Sequence, residues 1–147
     1  MDAGKRTISE IFTGNKMLEV PFFQRAYVWK EENWERFLED LEYVSGSRMP
    51  YFMGSLILKQ QMTGSNSAVG DVRLVIDGQQ RLTTICLLMK VLSLKAGFSN
   101  KFNRSFMLVN DGSVLLHNRN DHAAFNRIMQ LTQLEDLQEK DKITEAY

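Results

Sequence analysis

The chain has 147 residues, 44% of them hydrophobic and 24% charged, which is ordinary for one globular domain with its own core. Basic and acidic residues number 18 each, so no net charge draws the chain as a whole to nucleic acid. The polar first ten residues predict no signal peptide, and no apolar run is long enough for a membrane span, so the default expectation is a cytoplasmic location. The single cysteine, Cys86, excludes an intrachain disulfide and is expected to be a small buried apolar residue.

The first third of the chain predicts a short helix, an extended segment and a long helix. Residues 7–12 form the short helix or a turn, capped by Thr7 or Ser9. Residues 20–29 are extended, because Pro21 disfavours the helical conformation in the residue before it and the run is aromatic and β-branched. Alternate side chains of an extended segment share a face. One expected face carries Phe23, Arg25, Tyr27 and Trp29, and the other carries Gln24, Ala26 and Val28.

The middle of the chain predicts one helix and two paired strands. Residues 31–44 place apolar side chains at helical spacing, and their acidic opposite face is most simply solvated. Residues 51–59 have the pattern of a strand in which Gly54 marks either a packing contact or the close approach of a ligand to Gly54-Ser55. Residues 60–70 predict a polar loop, and residues 72–76 predict a second strand that pairs antiparallel with the first.

A nearly all-apolar helix is predicted over residues 79–96, with Gly97 at its end. Such a helix is buried on several sides and forms the centre of the core. Residues 104–109 and 113–117 predict two further strands around the turn Asn110-Asp111-Gly112.

Two more helices are predicted after these strands. Asn120 or Asp121 caps a helix that carries Phe125, Ile128 and Met129, and Thr132 with Glu135 indicates the start of a final helix. The expected fold class is therefore α+β (mixed α/β), with short strands packed on a central buried helix.

Polar residues concentrate where the second strand meets the central helix, in Asp77-Gly78-Gln79-Gln80-Arg81, here called the DGQQR block. The first turn of a helix has unpaired N–H groups and the positive end of the helix dipole, so it suits a phosphate. Gly78 would let a ligand approach the backbone, and Arg81 offers a fork of donors for phosphate oxygens. Alternatively, Asp77 and Gln80 form a capping box without any ligand. Both interpretations stay open, although a cap alone leaves Gln79 and Arg81 unexplained.

Two other polar groups accompany this block. Gln24-Arg25 is a second Gln-Arg pair, set among apolar residues, and it needs hydrogen-bonding partners if it is buried. Thr83 and Thr84 follow the DGQQR block within the first two turns of the helix. Their hydroxyl groups either face a ligand or bond back to the preceding turn.

Three separated blocks resemble the N-terminal domain family of GmrSD-type, modification-dependent restriction endonucleases. They are Pro21-Phe22-Phe23-Gln24-Arg25-Ala26-Tyr27-Val28-Trp29, Tyr51-Phe52-Met53-Gly54-Ser55 and Val75-Ile76-Asp77-Gly78-Gln79-Gln80-Arg81-Leu82-Thr83-Thr84. Weaker similarity runs on through residues 120–125 to residue 147. The resemblance implies a fold similar to ParB and sulfiredoxin, with a core over residues 1–118 and the start of a helical extension over residues 119–147. Compared with the family, the chain ends partway through a helix, and a fragment of a longer protein is expected.

The resemblance also implies a function. Members bind and hydrolyse a nucleotide and thereby regulate a nuclease located elsewhere, in DNA restriction and phage defence. On this hypothesis the cofactors are GTP or another nucleoside triphosphate and Mg²⁺. Asp77 would hold the metal or its bound water, Gln79 or Gln80 would orient the attacking water, and Arg81 would stabilise developing charge. The expected nucleotide-binding residues are Gln24, Arg25, Gly54, Ser55, Gly78, Arg81, Thr83 and Thr84.

Other chemistries lack the residues that they need. The sequence has no P-loop motif, no zinc-ligand cluster and no H-N-H nuclease signature, and its two histidines are His117 and His122. The main alternative is a non-catalytic module that contacts DNA or a partner protein, with a purely structural DGQQR turn. In that case Gln79 and Arg81 would be satisfied by protein groups. A third possibility is a module that binds nucleotide without hydrolysing it.

Overall fold

Helices and strands are interspersed along the chain in the computed structural model, which describes residues 3–14, 16–62, 70–107 and 112–133. The elements in chain order are α1 (Ile8–Phe12), β1 (Lys16–Glu19), α2 (Glu31–Ser45), β2 (Ile57–Gln61), β3 (Asp71–Asp77), α3 (Gln79–Ala96), α4 (Ser99–Phe106), β4 (Leu115–Leu116) and α5 (His122–Gln130). The predicted α+β class is confirmed. The likeness to ParB and sulfiredoxin and the division between residues 118 and 119 stay predictions.

Four strands form one mixed sheet in the order β2-β3-β1-β4. Strands β2 and β3 are antiparallel, as the sequence predicts, with Leu58 opposite Val75. Strand β1, which the sequence pattern did not predict, lies between β3 and β4 and is parallel to both. Parallel strands end at the same edge of a sheet. The segments that follow β1, β3 and β4 therefore leave the sheet side by side.

Helix α3 occupies the centre of the core. Six consecutive residues, 82–87, are buried, so its first half is enclosed on all sides, as the apolar pattern predicts. Cys86 is one of these residues, and burial raises the pKa of its thiol, as expected of an inert core side chain. Gly97 ends the helix in the left-handed conformation, with its N–H bonded to the Ser93 carbonyl.

The strand predicted over residues 104–109 is wrong in its first half, because α4 covers residues 104–106. Phe102 and Phe106 are four residues apart, and in a helix that spacing puts both rings on one face. They stack at a centroid distance of 5.0 Å and are both buried. Packing of this aromatic pair overrides the alternation that resembles a strand. Met107 and Ser113 still form an antiparallel bridge. The predicted turn at 110–112 lies largely outside the described residues, as do most of the 60–70 loop and the final helix after Thr132.

Two further extended segments differ from expectation. The strand predicted over residues 51–59 begins only at Ile57, because Gly54 has a φ of +113°, which no regular strand accommodates. The alternation predicted over residues 20–29 is also wrong. Pro21 to Gln24 forms a turn, so Phe23 is exposed whereas Tyr27 is fully buried.

The remaining helix predictions are confirmed. Thr7 caps α1 through a capping box with Glu10, α2 spans the predicted region, and α5 buries Phe125, Ile128 and Met129. Within the described part of the chain, no helix combines the length and apolarity that a membrane crossing needs.

Candidate functional site at the start of helix α3

Parallel strand ends bring the two Gln-Arg segments together. The segment after β1 carries Gln24 and Arg25, and the DGQQR block begins at the last residue of the neighbouring strand β3. Because the two strands are parallel, both segments emerge at one edge of the sheet. The structure therefore brings together residues that are more than fifty positions apart in the sequence.

Three glutamine side chains fasten these segments to each other. Gln79 Nε2 donates to the Arg25 carbonyl (3.0 Å), and Gln24 Nε2 donates to the Ile76 carbonyl (2.9 Å). Gln80 makes two bonds with the extended backbone: its Nε2 donates to the Ala26 carbonyl (3.2 Å) and its Oε1 accepts from the Val28 N–H (2.9 Å). We call these side chains of Gln24, Gln79 and Gln80 the glutamine clamp. Each Gln-Arg pair thus uses its glutamine to fix the backbone of the other segment.

Helix α3 begins without a side-chain cap. Its N-cap residue is Gly78, which has a φ of +98°, and the first intrahelical bond runs from the Leu82 N–H to the Gly78 carbonyl (3.0 Å). The capping box between Asp77 and Gln80 does not form, because Asp77 belongs to β3 and the Gln80 amide is engaged in the glutamine clamp. That explanation of the block is wrong. The uncapped N–H groups and the dipole of an 18-residue helix remain at this point.

Arg81 connects the helix to the segment before β2. Its guanidinium Nη2 donates to the Ser55 carbonyl and lies 3.8 Å from Asp77 Oδ2. The group also lies against Gly54, where a Cβ atom would be 2.8 Å from Arg81 Cζ and closer still to Nη1. This contact explains why residue 54 is a glycine. The group that approaches its backbone closely in the structure is the Arg81 guanidinium.

Two predicted site residues present charged side chains to solvent. Arg25 is exposed, and the Asp77 side chain is 61% exposed. The described ranges contain no group of three or more histidine, cysteine, aspartate or glutamate side chains that could hold a metal ion. Asp77 nevertheless suits Mg²⁺, which proteins often hold through one or two carboxylates with water and substrate phosphates as the other ligands.

Thr83 and Thr84 are buried behind the start of the helix. Their hydroxyl groups bond back to the carbonyls of Gln79 (2.9 Å) and Gln80 (2.8 Å), which is one of the two arrangements that the sequence left open. Thr84 Oγ1 also lies 2.8 Å from the hydroxyl of buried Tyr27. Both threonines therefore support the residues of the glutamine clamp, and they are not part of the exposed surface.

Sequence reasoning missed three residues that complete this buried support. Asp121 Oδ2 accepts from the Tyr27 N–H (2.7 Å), Asn118 Nδ2 donates to the Gln24 carbonyl (2.9 Å), and Trp34 Nε1 donates to the Tyr27 hydroxyl (2.8 Å). Asp121 is the N-cap residue of α5, which is one of the two caps predicted, but its contact with Tyr27 was not predicted, and Asn118 carries no motif. Asn118 and Asp121 follow β4, which is next to β1 in the sheet, so their contacts with the segment after β1 depend on the strand order. Trp34 belongs to α2.

His117 is a buried neutral histidine beside this support. Its Nε2 lies 3.0 Å from Thr83 Oγ1, and because that hydroxyl donates to the Gln79 carbonyl, the histidine donates from Nε2. Nδ1 is 3.9 Å from Asp121 Oδ2 without a hydrogen bond. Burial lowers the pKa of His117 to about 4, with a smaller contribution from His122. The pair with Asp121 is therefore not an ion pair near neutral pH.

Acidification is expected to destabilise the fold through His117. Its folded pKa of about 4 lies below the ordinary value, so the unfolded chain takes up the proton first as the pH falls from 6.5 towards 4. We expect a loss of about 1 kcal/mol between pH 7.5 and 5.5, measured by urea unfolding. His117→Gln, which does not titrate, should flatten this dependence. An equal slope in the variant would contradict the assignment.

Two concave surfaces occur among the described residues. One is lined by Leu116, His117, Arg119, His122 and Ala123, and the other lies between α3 and α4. Neither surface is lined by residues of the DGQQR block.

The fold and the site define a mixed α/β domain in which two Gln-Arg segments meet at the start of a central helix. The family model described as the GmrSD restriction endonuclease, N-terminal domain, matches residues 8–147, and the chain belongs to this family. The resemblance carried by the three sequence blocks is thereby confirmed. A comparison with curated proteins gives no significant match.

Proposed function

We propose that this domain binds a nucleoside triphosphate at the start of α3 and regulates a restriction nuclease that lies outside this chain. The observation that carries the proposal is the uncapped start of α3 at Gly78. The glutamine clamp holds the segment that contains Arg25 next to this helix start. Family membership supplies the link to DNA restriction. The function is thus a nucleotide-dependent step in a defence system that acts on DNA.

The chemistry of the site favours an anion. Unpaired N–H groups of the first helical turn donate to phosphate oxygens, and the helix dipole adds a favourable field. A guanidinium group has five N–H donors, so Arg81 retains donors for phosphate after its bond to Ser55. Arg25 supplies a second exposed guanidinium group from the neighbouring segment. Gly54 and Ser55 border the site through their contacts with Arg81.

Hydrolysis requires a metal and an oriented water in addition to binding. Asp77 would hold Mg²⁺ together with phosphate oxygens, and the metal would neutralise developing charge on the transferred phosphoryl group. Gln79 and Gln80 have their amides engaged with the backbone of residues 25–28, so we assign them to positioning Arg25 and the helix start. Because hydrolysis needs these additional groups, the rate of nucleotide hydrolysis has to be measured separately from nucleotide affinity.

Arg81→Ala and Arg25→Ala are each expected to weaken binding of GTP with Mg²⁺ by about tenfold or more, because charge-assisted bonds to phosphate are lost. Calorimetric titration and nucleotide-dependent thermal shifts measure this effect. Arg104→Ala, an exposed arginine on α4, serves as the matched control. Unchanged affinity in both site variants would contradict the proposal, and the phosphate release rate with and without DNA separates hydrolysis from binding.

One observation favours a second candidate function. Gln79, Gln80 and Arg81 all hydrogen bond to protein groups, as a purely structural DGQQR turn requires. On this account the domain is a non-catalytic module that contacts DNA or the nuclease. It predicts no thermal shift with any nucleoside triphosphate, which is the opposite result in the same titration.

A further inference from the structure

Two exposed phenylalanines stand at the tip of a tight turn next to the candidate site. The Gln24 N–H bonds to the Pro21 carbonyl (3.0 Å), so Phe22 and Phe23 occupy the two central positions of a β-turn. They are 90% and 63% exposed, and their rings form a T-shaped pair at 5.5 Å. Turn tips normally carry glycine, proline or small polar residues. Two large apolar rings at such a tip indicate a surface that meets another molecule.

The turn is fixed from both ends, so the rings stand on a preorganised support. Pro21 is buried, and the residue before it donates its N–H to the Leu116 carbonyl (2.8 Å). On the other side, the Gln24 side chain bonds to the Ile76 carbonyl and the Gln24 carbonyl accepts from Asn118. A rigid aromatic surface loses little conformational entropy when a flat ligand stacks on it.

We propose that Phe22 and Phe23 form a stacking platform for the nucleobase of the nucleotide whose phosphates bind at the start of α3. This inference rests on the proposed function, because it uses the same ligand. The bond from Gln24 to Ile76 places the turn beside the end of β3, two residues before Gly78. Arg25 lies two residues after Phe23. The two rings would stack on the base of a nucleotide, and the arginines and the helix start would bind its phosphates.

The small area of the platform favours a base over a protein partner. Two side chains at a turn tip offer far less surface than a stable protein interface buries, whereas one base covers a comparable area. Stacking depends on the flat face that every base has. The platform therefore accepts all four common bases, with a modest preference for the larger purines.

Calorimetric titrations with two ligands test the platform on the full 147-residue chain. GTP carries a base, whereas inorganic triphosphate offers only phosphates, and both are used with Mg²⁺. Phe22→Ala and Phe23→Ala are expected to weaken GTP binding by about tenfold and to leave inorganic triphosphate within about twofold of the unmodified chain. Tyr43→Ala, which removes an 80% exposed aromatic ring from α2, is the matched control and should change neither affinity.

The outcomes separate this inference from the function on which it rests. GTP binding that is unchanged in both phenylalanine variants, or an equal loss for both ligands, would overturn the platform while the phosphate site stands. A chain that binds neither ligand would overturn the proposed function and the platform together.

Discussion

Replacing Gly54 with alanine is expected to destabilise the fold by about 3 kcal/mol and to move Arg81 away from the start of α3. The φ of +113° strains any residue with a side chain, and the added Cβ would lie 2.8 Å from Arg81 Cζ. The guanidinium group must then leave its contact with the Ser55 carbonyl. Urea unfolding measures the stability, and GTP titration measures the accompanying loss of affinity.

Two comparisons isolate the steric part of this effect. Gly97→Ala also places a side chain at positive φ, but no atom lies within 4 Å of the new Cβ, so only the backbone strain of about 1 kcal/mol is expected. In an Arg81→Ala background, Gly54→Ala should cost less than in the unmodified chain, because the obstructing group is absent and only the strain at φ +113° remains. If Gly54→Ala costs the same with and without the Arg81 side chain, the close packing of Arg81 on Gly54 is refuted.

Gln80→Ala is expected to lower stability by about 3 kcal/mol, because it leaves two partly buried backbone groups without partners. These groups are the Ala26 carbonyl and the Val28 N–H, which the Gln80 amide satisfies at 3.2 Å and 2.9 Å. Release of this backbone also loosens the position of Arg25, so GTP affinity should fall although Gln80 itself does not touch the phosphates. Unfolding and titration experiments on one preparation measure both effects.

Substitution of the same side chain by glutamate gives a sharper test. Gln80→Glu retains an acceptor for the Val28 N–H but places a second oxygen against the Ala26 carbonyl, so most of the destabilisation should remain. Gln60→Ala, an exposed glutamine on β2, should change stability by less than about 0.5 kcal/mol. Stability of Gln80→Ala equal to that of Gln60→Ala would show that the glutamine clamp does not hold the two segments.

Local patterns in the sequence predicted the central helix and the antiparallel hairpin. The nearly unbroken apolar run of α3 and the glycines on either side of it define that helix without reference to the rest of the chain. The clustering of Gln24, Arg25, Gly54 and Ser55 around the DGQQR block was also anticipated. Gln79 contacts Arg25, Arg81 contacts Gly54 and Ser55, and Gln24 bonds to Ile76 just before the block. The local sequence pattern therefore identified which residues gather around the DGQQR block, but not the hydrogen bonds that they make.

The features that the sequence did not predict depend on contacts between residues that are far apart in the chain. Strand β1 has four residues and owes its conformation to β3 and β4 on either side, so its own sequence carries a weak signal. The partners of Gln79 and Gln80 are backbone groups more than fifty residues away, which no motif encodes. The same holds for Asp121, whose carboxylate receives the Tyr27 N–H across 94 positions.

The location of these contacts ties the candidate site to the stability of the whole domain. Gln79 is buried at the first turn of α3, and that helix is enclosed by the core over its first half. A ligand bound at the helix start, as proposed, would therefore contact a rigid element and not a loose loop, which would lower the entropy cost of binding.

Amide chemical shifts recorded during titration of GTP with Mg²⁺ test the central claim most directly. The account predicts saturable changes that are largest at the backbone amides of Gly78, Gln79 and Gln80 and at the side-chain Nε–H signals of Arg25 and Arg81. Binding that leaves all five signals in place, or the absence of any saturable change, would contradict an anion site at the start of α3.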